Sequence, residues 1–223
     1  LNYLPALTRQ YTYMLANLNP YQVNVNGEIG GQVDAYYSIR PKGERSKYWN
    51  FHANYSTYYS DKQLTGKSRL LWRDVNGDIE HQWNKKLKTS LLVSVQEWSP
   101  THGSTEKTYA SNIFVYDMTY KFDRKTSIRA ELQYLYSEDY EKDWMAALVE
   151  VNFAPHWSVS VSDMYNHGKT EIHYYNGSIS YTFDRTRIQV NYGRNRAGYV
   201  CSGGVCRYTP AYTGAGITLT TSF

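Results

Sequence analysis

The chain has 223 residues, 24 of them basic and 20 acidic, which gives a formal charge of +4, and its mean hydropathy is −0.64. It has no run of about 18 apolar residues, which excludes a transmembrane helix, and its basic residues are scattered, which argues against a nucleic-acid partner. Twenty-four tyrosines and six tryptophans against six prolines favour strands. Low hydropathy is still compatible with a transmembrane barrel, which shows lipid only every second residue of strands roughly 9 to 11 long.

Residues 1–26 place Leu4, Leu7, Tyr11, Met14 and Leu15 at helical spacing, but Pro5 and Pro20 confine any helix to a short one. This segment reads as an outer loop or a piece folded into a lumen. The sequence opens on Leu1 without a visible signal peptide, which suggests a processed N-terminus or a portion of something longer.

From residue 27 onward the pattern has a period of two. In 27–40, Ile29, Val33, Ala35, Tyr37 and Ile39 alternate with Glu28, Gln32, Asp34, Ser38 and Arg40; in 47–60, Trp49, Phe51, Ala53, Tyr55 and Tyr59 alternate with Asn50, His52, Asn54 and Ser56. The same pattern recurs over 74–84, 87–98, 109–122, 127–137, 143–153, 157–166, 172–183, 187–196 and 211–223, so eleven strands are expected. Tight links at 84–86, 123–126, 154–156 and 184–186 alternate with longer ones such as 61–73, 99–108 and 197–210. That segregation fits an antiparallel transmembrane β-barrel over 27–223, with short periplasmic turns and long outer loops. An odd strand count implies that at least one more belongs to a larger, even-stranded barrel.

Aromatic residues on the apolar face fall near strand ends. Tyr37, Trp49, Trp83, Tyr120, Phe122, Phe153, Trp157, Phe183 and Phe223 lie toward the short turns, and Tyr59, Tyr136, Tyr175 and Tyr192 toward the long loops, as the girdles of a barrel would. On the polar face, Arg129, Glu131 and Gln133 join Asp117, Lys121, Glu150 and Asn152. A lipid-facing Arg or Lys at mid-membrane costs about 2–4 kcal/mol, so these seven are expected to face a polar lumen.

The histidines form no metal-binding pattern, and no metal or cofactor is implied. His52 and His173 are expected to face the lumen. Ser162, Asp163 and His167 lie close in sequence, but that spacing alone makes no triad, and the chain reads as a non-enzyme. The acidic loop 137–143 reads as solvated, without calcium-loop spacing. Cys201 and Cys206 flank a Ser-Gly-Gly turn and are expected to form a disulfide on the cell exterior.

Five blocks, "LTRQYTYMLANLNPY", "NGEIGGQVDAYY", "SNIFVYDMTYKF", the stretch 171–211 with its cysteine loop, and the closing strand, resemble a family of outer-membrane barrels of unassigned function in the Bacteroidota. The resemblance implies the C-terminal portion of a longer barrel in a Gram-negative outer membrane. The terminal Phe223 resembles the signal that the barrel assembly machinery reads. Two functions follow as expectations: a porin-like channel, or a non-conducting docking subunit that binds other outer-membrane proteins.

Overall fold

A computed structural model of the chain describes residues 7–24, 26–44, 46–62, 66–202 and 205–222, the side chains of 200–207 excepted. Eleven long strands form one antiparallel sheet. They are β1 (Glu28–Ile39), β2 (Tyr48–Ser60), β3 (Leu70–Gln82), β4 (Leu87–Trp98), β5 (Tyr109–Lys121), β6 (Thr126–Ser137), β7 (Trp144–Phe153), β8 (Trp157–Asn166), β9 (Ile172–Phe183), β10 (Thr186–Asn195) and β13 (Tyr212–Thr221). Each of the first ten pairs with the next, and β13 completes the row beside β10. Between β10 and β13 stands a separate hairpin of β11 (Gly198–Ser202) and β12 (Val205–Thr209), which the sequence pattern did not predict.

The alternation places β3 at residue 74, yet the strand begins at Leu70. Leu71 and Trp72 are both buried, and the β2–β3 register shifts between Tyr58 and Tyr59, so two consecutive residues pack inward and break the period of two. Several connections are closed by a side chain that mimics a backbone turn. Asn84 Oδ1 accepts the N–H groups of Lys86 and Leu87 (2.7 and 3.0 Å). Asp123 does the same for Lys125 and Thr126 (2.6 and 2.9 Å), and these two bonds hold its carboxyl below the usual range.

The two faces of the sheet differ in kind. Outward, side chains such as Val33, Val75, Leu91, Val93, Leu132, Val161, Ile179, Ile217 and Leu219 are exposed, Ile217 by 76%. Tyr37, Trp83, Phe122, Phe153, Trp157 and Phe183 extend this surface near the short turns. Ionic pairs on this face sit at the long-loop end: Arg73 with Glu97 (3.2 Å) and Asp163 with His173 (2.6 Å). Inward, the strands carry Asn54, Ser56, Asp74, Asn76, Ser94, Gln96, Glu131 and Gln133, all buried.

Residues 7–24 account for that burial. Leu15, Ala16 and Leu18 cluster with Leu92 of β4, Ile113 and Val115 of β5, Leu135 of β6, and Trp144 and Ala146 of β7, with Met164 of β8 and Tyr174 of β9 packed alongside. Ala16 accepts from Gln96 of β4, while Leu18, two residues on, accepts from Arg196 just past β10; those strands stand six places apart in the row, about 29 Å in a flat sheet at about 4.8 Å per strand, so the sheet is curled around the segment. Among the described residues β1 and β13 do not pair with each other, so these eleven strands do not close on themselves. Both edge strands run from the long-loop end to the short-turn end, as the first and last members of an odd antiparallel set must.

Candidate functional site: the lined interior

Residues 7–15 cross the strands in steps. Leu7 offers its carbonyl to the Tyr58 hydroxyl of β2 (2.6 Å). Arg9 reaches β3, with Nη1 donating to Asn76 Oδ1 (2.7 Å) and Nη2 pairing with Asp78 (2.5 Å). Tyr11 donates to Asp74 Oδ2 (2.6 Å), while Tyr13 donates to Asp117 of β5 (3.3 Å) and the Leu15 N–H to Gln133 Oε1 of β6 (2.9 Å). Every second residue from 7 to 15 thus makes a contact, and together the contacts step from β2 to β6, Arg9 and Tyr11 both serving β3, as an extended chain lying across a sheet produces. The path then tightens into one turn, with the Asn17 N–H donating to the Tyr13 carbonyl (3.1 Å). Gln96 donates to the Ala16 carbonyl (3.0 Å), and Arg196 to that of Leu18 (3.2 Å).

Two polar networks result. Asp74 has a fully buried side chain and accepts from Tyr11, from Ser94 (2.8 Å) and from Asn76 (2.9 Å). Asn76 also donates to Asn54, which donates to Asp34 (2.7 Å); His52 bridges Asp34 (2.9 Å) and Asp78 (3.0 Å) under the stacked Tyr36 ring. The second network joins Asp117, Arg129, Glu131 and Gln133. Arg129 donates to both Asp117 oxygens and pairs with Glu131, Gln133 donates to Glu131 (3.0 Å), and Tyr13 and Leu15 close the circuit at its two ends. Burial, then the Asp117 charge, pushes the Tyr13 hydroxyl up to about 12. Burial and Asp74 push Tyr11 further in the same direction, and burial with the Glu28 hydrogen bond does so for Tyr21. All three phenols therefore remain donors at neutral pH.

The sequence matches, over residues 1–223, the family described as a family of unknown function (DUF6029). The chain belongs to that family. No curated protein matches it.

The other residues singled out in this DUF6029 chain fall as follows. Glu150 accepts from Asn152 (2.7 Å) on the same face, toward the short turns, and Lys121 is exposed at the end of β5. His173 does not face inward: it lies on the outer face against Asp163, with Tyr165 stacked on it at 4.2 Å, because position 173 shares the parity of exposed Tyr175 and Ile179. Ser162 and Asp163 are consecutive in β8 and so point to opposite faces, which keeps them apart. In the acidic loop, Asp139 accepts the N–H groups of Glu141 and Lys142, Asp143 accepts that of Ser137, and Glu141 pairs with Arg196 (2.7 Å). Cys201 lies opposite Cys206 in the β11–β12 register, but their side chains, like Phe223, lie outside the described residues. The sequence reading missed Arg9, Tyr11 and Tyr13. Their one signal is the alternation Arg9, Tyr11, Tyr13, which resembles a strand and not the helix sought there.

Proposed function

We propose that this chain forms most of a transmembrane β-barrel in a Gram-negative outer membrane, and that its occupied interior makes it a non-conducting docking subunit. The location rests on the outward face, since soluble monomers rarely expose contiguous apolar surface of this extent. Lipid is its partner there, with aromatic girdles at both ends and charge pairs held to the long-loop end. Because β1 and β13 run in the same direction, closure by antiparallel pairing needs an odd number of further strands, which agrees with the even totals of bacterial barrels. A Cys201–Cys206 disulfide on the exterior is favoured by register, since residues opposite each other are about 4.5–5.5 Å apart at Cα, within the range of about 4.4–6.8 Å that a disulfide accepts.

The observation that carries the non-conducting reading is the path of residues 7–24, which hydrogen-bond to β2, β3, β4, β5 and β6 across the interior. A porin-like channel is the second reading, favoured by the polar lining beyond the segment, such as Lys88 with Glu80 and Ser160 with Ser178. Planar-bilayer recording separates them. The intact protein is expected to be silent and a variant lacking residues 7–24 to conduct; steady current from the intact protein would favour the channel.

A further inference from the structure

A row of aromatic side chains crosses the inner face at the long-loop end. Tyr58, Trp72, Trp98 and Tyr109 are successive register partners on β2, β3, β4 and β5. Gly30 of β1 extends the row, and only glycine fits there: a Cβ would come within 2.5 Å of the Tyr58 ring and 2.2 Å of the Thr57 carbonyl. Tyr21 lies over the row, its ring stacked on Tyr58 (5.0 Å) and tilted against Trp72 (5.7 Å). Beside these rings, between the N-terminal segment and the loops after β4 and β10, is a cavity of about 250 Å³.

Two features of its wall point to a ligand. Trp72 Nε1 and Trp98 Nε1 are buried donors with no acceptor among the described residues, whereas a buried indole N–H ordinarily finds one. Asn19 and Gln22, each with a side-chain amide, also line the cavity.

We propose that this cavity binds one ring of a neutral saccharide. The Tyr21 and Trp98 rings in its wall suit the flat C–H face of a pyranose, and Asn19, Gln22 and the unpartnered indole N–H groups suit its hydroxyls. An organic cation is disfavoured because the Arg196 guanidinium lines the cavity; an anion is disfavoured because that guanidinium is already paired with Glu141 (2.7 Å) and stacked on Trp144. The volume, just below the range of about 300–1,000 Å³ for small-molecule sites, limits the occupant to about one ring held in the wall.

The experiment is calorimetric titration of the full chain in a detergent without sugar headgroups, using glucose, galactose, mannose, N-acetylglucosamine and cellobiose, with choline chloride and inorganic phosphate as controls. At least one sugar is expected to bind saturably at millimolar concentration. Trp98→Phe, which keeps the packing and removes the indole N–H, and Gln22→Ala at the rim are each expected to weaken binding by about three- to tenfold, one hydrogen bond's worth. No saturable binding of any sugar to the folded protein would overturn the proposal, as would binding that both variants leave unchanged or that only choline or phosphate shows. The outcome is independent of conductance, so this assignment and the docking role fail separately.

Discussion

The inner face of the sheet treats its polar groups differently at its two ends. Toward the long loops, residues 7–24 complete the hydrogen bonding: Tyr11 with Asp74, Leu15 with Gln133, Ala16 with Gln96. Toward the short turns, side chains pair with each other across or along the strands: Lys88 with Glu80 (2.9 Å), Asn152 with Glu150 (2.7 Å), Ser160 with Ser178 (2.8 Å). The first set is buried, so losing one partner strands a group where water cannot replace it; the second is partly exposed, so water takes the lost place. The strands are the same throughout, and the covering segment makes the difference.

Substitutions should follow that contrast. Leu15 is fully buried, and Leu15→Ala leaves a cavity among Leu92, Ile113, Leu135 and Trp144, with an expected loss of about 2–5 kcal/mol in denaturant unfolding. Tyr11→Phe keeps the ring and removes a donor from the buried Asp74, with an expected loss of about 1–3 kcal/mol. At the other end, Ser160→Ala should shift stability by no more than about 0.5 kcal/mol. A loss from Ser160→Ala equal to that from Tyr11→Phe would erase the distinction between the two ends.

Alkaline pH should act on the covered end. The Tyr13 pKa is raised from the ordinary 10.0 to about 12, so its folded form holds the proton where an unfolded chain has lost it. The stability it contributes is complete below about pH 10 and is lost as pH rises toward about 12. Phenolate absorbance should therefore show late-titrating tyrosines, and Tyr13→Phe should remove one of them. Proteolysis within residues 7–24 that starts well below pH 10 would contradict this.

The strand set was largely legible because alternation is a local consequence of strand geometry, and ten of the eleven strands lie within two residues of the expected bounds. The exception, β3, failed at the bulge, where Leu71 and Trp72 both turn inward. The covered zone was half legible. In "LLV" at 91–93 and "IFVY" at 113–116 the alternation gives way to continuous apolar runs because both faces are apolar there: Leu92, Ile113 and Val115 pack under Leu15, while Leu91, Val93, Phe114 and Tyr116 are exposed outward. That residues 1–26 fold inward was one of two readings of that segment; which strands it would touch was not legible. Residues 7–15 reach their partners 51 to 118 positions away in sequence, and nothing local in a segment with helical spacing records such contacts. The ionic pairs Arg73 with Glu97 and Asp163 with His173 escaped for another reason: an inward rule for charges applies at mid-membrane and relaxes at strand ends.

The central claim is that the outer face meets lipid while the inner face does not. Adjacent positions in β8 test it most directly: Val161 is exposed outward by 61%, and Ser160 bonds Ser178 inside. With Cys201 and Cys206 replaced by serine, a nitroxide label would be placed at Val161→Cys or Ser160→Cys and the protein reconstituted in phospholipid vesicles. The account predicts that oxygen relaxes the label at 161 far more than a water-soluble nickel complex does, and that this preference is reduced or reversed at 160. Equal access of the nickel complex to both positions would contradict it.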